Sequence, residues 1–259
     1  MTQWIKAHER IDDLQLDGLK IIQNPDSFCF GIDAVLLSDF AKVKDGASVV
    51  ELGTGTGIIP ILLSTKSNAS KITAFEVQSG MADMASRSVR MNALEGRIEI
   101  VNDNLKKYAK YIDNGTVDVV VTNPPYMSGS GGIQNDEDQK RISRHEVLCD
   151  LEDVIRVSSA MLKPGGAFYM VHRPMRLVDI VSLMRQYKLE PKEIRLVQPS
   201  VFKKPNIMLI KGVRGGRPEL KFLDPLIVYQ EDGQYTPEIY EIYGNVQINV
   251  FDKREEIHG

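Results

Sequence analysis

The sequence predicts an α/β fold: a seven-stranded, mostly parallel sheet with helices on both faces and an antiparallel last strand. Three observations lead to this. Short β-rich apolar runs alternate with helical patterns from about residue 31 to residue 213, as in parallel strands joined by crossover helices. Seven such runs occur, enough for one continuous sheet. The last two are separated only by the turn-like stretch from Gln198 to Pro205, too short for a crossover, so they form a hairpin.

In chain order, Leu14 to Ile22 alternates around Asp17-Gly18, a strong hairpin signal. Phe28 to Leu37 follows, with Asp33 expected as the N-cap of a first helix. The predicted strands of the sheet are Ser48 to Leu52, Lys71 to Glu76, Arg97 to Val101, Val117 to Thr122, Gly166 to His172, Lys192 to Val197 and Asn206 to Val213. Leu151, Val154, Ile155, Met161 and Leu162 fall at helical spacing before the Lys163-Pro164-Gly165-Gly166 turn, and Leu177, Ile180, Val181 and Met184 do so after Pro174. Beyond residue 214, Tyr229 to Tyr235 reads as a hairpin or loop around Asp232-Gly233, and Thr236-Pro237-Glu238 opens a short helix. The expected organisation is a hairpin extension over 1–27, a core domain over 28–213, and an extension over 214–259 that packs on the core and ends in a polar tail.

Composition narrows the class. With 259 residues, 42% hydrophobic and 26% charged, the chain can bury the core of a globular enzyme. A net charge of −3 excludes a broad polyanion binder, so any nucleic-acid contact must come from local basic patches. Cys29 and Cys149 are far apart and the four histidines scattered, so we expect reduced thiols and no metal site. No apolar run approaches the ~20 residues that cross a bilayer, and the polar start lacks a signal-peptide core. A cytoplasmic monomer without membrane contact is expected.

The first chemical signal is Glu51-Leu52-Gly53-Thr54-Gly55-Thr56-Gly57, a strand ending in a glycine turn. Glycines 53, 55 and 57 let backbone approach a ligand closely, and Pro60 suits the first turn of the next helix. A dinucleotide fingerprint needs G-x-G-x-x-G, whereas G-x-G-x-G favours a nucleoside sulfonium. Glu76, ending the next strand, can accept both ribose hydroxyls of such a cofactor. Asp103, after the third strand, is either an acceptor for the adenine amine or a plain turn or cap residue.

The second signal is Asn123-Pro124-Pro125-Tyr126, ending the strand Val117 to Thr122. An exocyclic amine is a poor nucleophile because its lone pair is delocalised. Two acceptors, the Asn123 side-chain oxygen and the Pro124 carbonyl, would draw that nitrogen toward tetrahedral geometry and aim its lone pair at an electrophilic methyl. The consecutive prolines hold these acceptors rigid. Tyr126 offers a ring face on which a flat substrate stacks. No strong general base is required, since the proton becomes acidic only after transfer.

On Glu51 to Gly57, Glu76 and Asn123 to Tyr126, residues 28 to 213 resemble the Rossmann-like class I methyltransferases that use S-adenosylmethionine. More narrowly, Phe28 to Leu37, Ile142-Ser143-Arg144-His145-Glu146, Lys163 to Gly166 and the overall length resemble the bacterial tRNA1(Val) adenine-N6 methyltransferases. That resemblance implies S-adenosylmethionine as cofactor, tRNA as partner and an adenine beside the anticodon as target. It also places Phe30 and Asp33 near the methionine end of the cofactor; by themselves they read equally as a core aromatic and a helix cap.

The same acceptor string serves adenine amines in DNA or RNA, guanine amines in ribosomal RNA and the glutamine amide of release factors. A probable hairpin before residue 48, rather than a helical domain, speaks against the protein substrate, and no stretch suits a DNA target-recognition domain. A structured RNA, read by shape around an unstacked base, asks least of the protein. Lys203 and Lys204 in the last hairpin, Arg214, Arg217 and Lys221 after the sheet, and Lys140, Arg141, Arg144 and His145 after the glycine-rich 128–132 flap are candidates for a phosphate-contacting rim. Any one of them is equally readable as ordinary solvated surface. A catalytically silent cofactor-binding module is the non-enzymatic alternative.

Overall fold

The computed structural model describes residues 4–26, 29–124 and 150–244. A two-stranded hairpin, β1 (Arg10–Asp13) and β2 (Lys20–Gln23), comes first. Its turn falls where Asp-Gly places it, with Asp17 and Gly18 at φ 51° and 70°. The regular strands end short of the turn, but Leu14 N still donates to the Leu19 carbonyl at 2.9 Å and both side chains are buried in the core.

The chain then forms α1 (Ile32–Phe40), β3 (Ser48–Leu52), α2 (Ile58–Lys66), β4 (Lys71–Phe75), α3 (Ser79–Met91), β5 (Ile98–Val101) and β6 (Val117–Thr122). After it come α4 (Leu151–Met161), β7 (Leu162–His172), α5 (Leu177–Gln186), β8 (Leu189–Gln198), β9 (Ile207–Arg214), the two-residue strands β10 (Lys221–Phe222) and β11 (Leu226–Ile227), and α6 (Pro237–Ile242). All seven predicted strands are present in a mixed sheet of order β5-β4-β3-β6-β7-β9-β8. β9 is antiparallel to both neighbours, and the hairpin's return strand inserts between β7 and β8.

Three expectations need correction. The sheet has nine strands, because β10 and β11 pair parallel with the outer edge of β8, so part of the 214–259 extension completes the sheet. Strands of two residues carry no readable periodicity. Next, the strand expected from Gly166 to His172 starts four residues earlier. β7 already begins at Leu162, and a bulge against β6 absorbs the Pro-Gly-Gly segment, with Gly165 at φ 80°. Finally, the N-cap of α1 is Gly31, and Asp33 is the second helical residue.

Strict alternation along the strands supplies two cores. Val49, Ile72, Val119, Val121 and Tyr169 face α1, α2 and α6, whereas Val50, Phe75, Val120, Phe168 and Met170 face α4 and α5. The N-terminal segment docks on α3. Ile22 N donates to Ser88 Oγ at 2.9 Å, and buried Arg87 donates to both Glu9 carboxyl oxygens at 2.7 Å, to Asp83 Oδ2 at 2.7 Å and to the Trp4 carbonyl. Arg87→Met removes the ion-pair partner of the largely buried Glu9 carboxylate and leaves it only the Lys6 backbone N–H, and we expect this to cost about 3 kcal/mol in urea unfolding. A loss below about 1 kcal/mol would show that the network is replaceable.

Candidate active site

The sheet order positions the site. From β3 the chain winds outward through β4 and β5, then returns to β6 on the other side of β3. The switch point, where connections diverge and leave a crevice, therefore lies at the carboxyl ends of β3 and β6. Leu52 is in register with both Phe75 and Thr122, so the glycine turn, Glu76 and Asn123 emerge from three adjacent strands at one level.

Hydrogen bonds hold these ends together. Gly53 N and Thr54 N both donate to the Phe75 carbonyl, at 2.9 and 3.0 Å. The Thr122 hydroxyl donates to the Leu52 carbonyl at 2.9 Å, locking the residue before Asn123 against the start of the glycine turn. A buried hydroxyl at a strand end is not recognisable from sequence as a clamp, because its partner is a backbone carbonyl 70 residues away along the chain.

Within the turn, Gly53, Gly55 and Gly57 have φ of 77°, 58° and 90°, which L side chains adopt only with strain. Gly53 and Gly55 face open space, and a Cβ on either would project into the crevice. Gly57 differs from its expected ligand-facing role, because a Cβ there would meet Ala85 Cβ of α3 at 3.1 Å. It is a close-packing glycine at the start of α2.

Glu51 is 1% exposed, and among the described residues neither of its carboxyl oxygens has a hydrogen-bond partner; nor does Thr54 Oγ1. Burial pushes its pKa from 4.5 to about 8, and the Glu76 carboxylate adds to the rise. The neighbouring Thr54 hydroxyl opposes it only in part, lying outside hydrogen-bonding geometry. An orphaned acid beneath a glycine turn is incomplete by itself, and a ligand bearing positive charge or N–H donors would complete it.

Glu76 is also buried, but its oxygens are aimed at backbone: Oε2 accepts from Gly55 N at 2.9 Å and Oε1 from Gln78 N at 2.8 Å. The carboxylate thereby ties the end of β4 to the glycine turn, and each oxygen retains a further lone pair. Asn102, missed in the sequence, supports it by donating to the Glu76 carbonyl at 2.7 Å. Asp103 follows β5 on the same end of the sheet. Lys107 Nζ at 2.9 Å, with Asn104 N and the Tyr111 hydroxyl, holds its carboxyl at about 2, so it is ionised at any working pH. The cap of the following 3-10 turn is Asn104, not Asp103.

Asn123 is half-buried and Pro124 buried at the end of β6. Tyr126, Arg144 and the 128–145 flap lie outside the described residues. Phe30 packs half-buried on the α1 side of the core, its backbone N donating to Gln23 Oε1 at 3.0 Å. Lys203 and Lys204 sit, exposed, in the β8–β9 loop, on the same end of the sheet as Asn123. Arg214 is not brought there. It ends β9 at the opposite end of the sheet, where its guanidinium donates to the Ala160 and Leu162 carbonyls, and Arg217 follows it. The antiparallel insertion of β9 places its two ends at opposite poles. A hollow of about 380 Å³ lined by Leu16, Asp39, Lys66 and Ile242 lies beside α1 and includes none of these site residues.

The strand order, the glycine turn and the acceptor string at the switch point define a class I methyltransferase fold. A family model for the methyltransferase small domain matches residues 19–187, and the chain belongs to that family. A Bacteroides fragilis protein named tRNA1(Val) (adenine(37)-N6)-methyltransferase is 30% identical over 141 residues, 54% of this chain and 58% of that protein. The match thus spans little more than half of that relative. A Porphyromonas gingivalis protein of the same name is 26% identical over 220 residues, covering 80% of this chain and 84% of its own. Among solved structures, a predicted O-methyltransferase from Agrobacterium tumefaciens superposes with a TM-score of 0.68 at 23% identity, over 82% of this chain and 95% of that one. Geranyl diphosphate C-methyltransferase from Streptomyces coelicolor, solved with S-adenosyl-L-homocysteine, reaches 0.52 at 15% identity, over 70% of this chain and 76% of its own. These two likenesses speak for the fold alone.

Proposed function

We propose that the protein is an S-adenosylmethionine-dependent N-methyltransferase acting on N6 of an adenine in tRNA, beside the anticodon of a tRNA1(Val)-like substrate. The observation that carries the reading is the placement of Asn123-Pro124 one strand from the orphaned Glu51 and its glycine turn, at the sheet's switch point. Relatives of the same family name support the tRNA and the adenine.

Glu51, Gly53, Gly55, Glu76 and Asp103 would hold the cofactor, with Phe30 and Asp33 at its methionine end. S-adenosylmethionine supplies the electrophilic methyl when bound. The Asn123 side-chain oxygen and the Pro124 carbonyl accept the two amine hydrogens of the substrate base, orienting the nitrogen lone pair and stabilising the positive charge that grows on nitrogen. The base must leave its stack to reach them, and Tyr126 is the ring it would stack on. The displaced proton departs from the cationic product amine to solvent. None of the chain's groups need act as a strong base.

Methyl transfer from labelled S-adenosylmethionine tests this, with unmodified bulk tRNA, genomic DNA, ribosomal subunits and a release factor as parallel acceptors and nucleoside analysis of the product. We expect N6-methyladenosine in tRNA alone. Label in another acceptor would keep the chemistry and discard the substrate. Binding of NAD in place of S-adenosylmethionine would discard both.

A further inference from the structure

The end of the sheet that carries Asn123 continues outward through two segments whose side chains have no role in the core. Met175, in the turn after β7, is 84% exposed, and Phe202 and Val201, in the β8–β9 loop, are 80% and 57% exposed. Arg173 joins the segments, its Nη1 donating to the Asn206 carbonyl at 3.1 Å. The buried His172 helps to fix this turn. Its Nδ1 accepts from Arg173 N at 2.8 Å, and burial lowers its pKa to about 4, which keeps the acceptor nitrogen unprotonated.

Lys203 and Lys204 directly follow Phe202, and neither has an ion-pair partner among the described residues. On the far side, Tyr229 N donates to the Pro199 carbonyl, and the chain continues into Glu231 and Asp232. The two lysines thus lie in the loop at the same end of the sheet as Asn123. β6 and β8 are separated by β7 and β9, three strand spacings or about 14 Å.

An aromatic ring as exposed as Phe202 is a cost in solubility unless it serves a contact, and here it is followed at once by two lysines. An aromatic face with flanking cations suits an unpaired base and its phosphates, since every base has a π face and every nucleotide a charge. A protein partner would more often meet an apolar patch without the lysine pair, because lysine is depleted at such interfaces.

We infer that the β8–β9 loop is a second nucleic-acid contact, where Phe202 stacks an unpaired base neighbouring the target nucleotide and Lys203 and Lys204 hold its phosphates. Met175 and Val201, likewise exposed at this end of the sheet, add apolar surface to the same region. The inference rests on the tRNA reading above. It adds the surface that grips the single-stranded loop while the target base is held at Asn123.

The test compares Phe202→Ala, Phe202→Trp and a Lys203→Glu/Lys204→Glu double variant in the full chain, with unmodified bulk tRNA as ligand at two salt concentrations. Phe202→Ala should weaken tRNA binding about tenfold with little change in its salt dependence. Phe202→Trp should restore it. The double variant should weaken binding most at low salt and flatten the salt dependence. S-adenosylmethionine affinity should be unchanged in all three, which reports an intact fold. Wild-type affinity for tRNA in Phe202→Ala, with wild-type methylation of tRNA proceeding normally, overturns the inference and leaves the proposed function standing. Failure of the wild-type protein to bind tRNA while it methylates another acceptor overturns both.

Discussion

Replacing Asn123 with alanine is expected to reduce methyl transfer on the order of a hundredfold to a thousandfold while leaving S-adenosylmethionine affinity within a few fold of wild type. The asymmetry follows from the role proposed for Asn123. In that reading its side-chain oxygen accepts from the substrate amine and is needed most as charge develops on nitrogen, whereas the glycine turn and the acids at the ends of β3, β4 and β5 would hold the cofactor. Thr122 and Pro124 hold the backbone at this position, so a truncated side chain leaves the strand end in place. Single-turnover transfer and equilibrium cofactor binding on the same preparation separate the two effects. An alanine variant with wild-type turnover would sink the two-acceptor mechanism, and one that loses cofactor binding to the same degree as turnover would move Asn123 into the cofactor site.

Glu51→Gln should change stability and binding in opposite directions. The folded chain holds the Glu51 proton up to about pH 8, whereas the unfolded chain releases it near the ordinary value of 4.5. Between those limits the folded state binds more protons, so wild-type stability falls as pH rises from about 4.5 to about 8 and then levels off. Glutamine cannot ionise. The variant should therefore gain on wild type across that window, by on the order of 2–3 kcal/mol near neutral pH, and match it below. Cofactor affinity should fall tenfold or more, because the carboxyl group can give up its proton when a ligand with positive charge or N–H donors binds and then accept with both oxygens, whereas glutamine accepts with one and stays neutral. Urea unfolding of both proteins from pH 5 to pH 9, without ligand, reads the first effect. Parallel stability profiles would show that Glu51 titrates normally and that its burial is relieved in solution. An acid retained at such cost to the apo fold is the pattern expected of a binding residue.

The strands were legible because their chemistry is local. Val117 to Thr122 is a run of β-branched and apolar residues that lies where the alternation puts it, and the run ending at His172 has the end expected of it, although β7 starts four residues earlier, at Leu162. The short Gln198 to Pro205 connection sufficed to make β9 antiparallel. Asp17-Gly18 marked a turn, and Thr236-Pro237 opened α6, because backbone preference at those residues is intrinsic. The chemistry was legible for a similar reason: acceptors rigidified by consecutive prolines and a glycine turn after an acid are local constellations.

Other features depended on what tertiary packing brings opposite a residue. Gly57 looks like its neighbours in sequence, yet only the structure sets it against Ala85 and removes it from the ligand side. Arg214 and Lys203 belong to one basic stretch of sequence, but β9 runs from one pole of the sheet to the other and separates them. β10 and β11 exist because the edge of β8 offers unpaired backbone groups, and two residues suffice to satisfy some of them. The chain's own sequence determined the class of fold, the acceptor string and the acids that end the strands, since these follow from residue type and near neighbours. Which acid is orphaned, which glycine is steric and which cations share the site's face were decided only by the folded structure, because burial, pairing and strand direction are properties of residues far apart in the chain and adjacent in space.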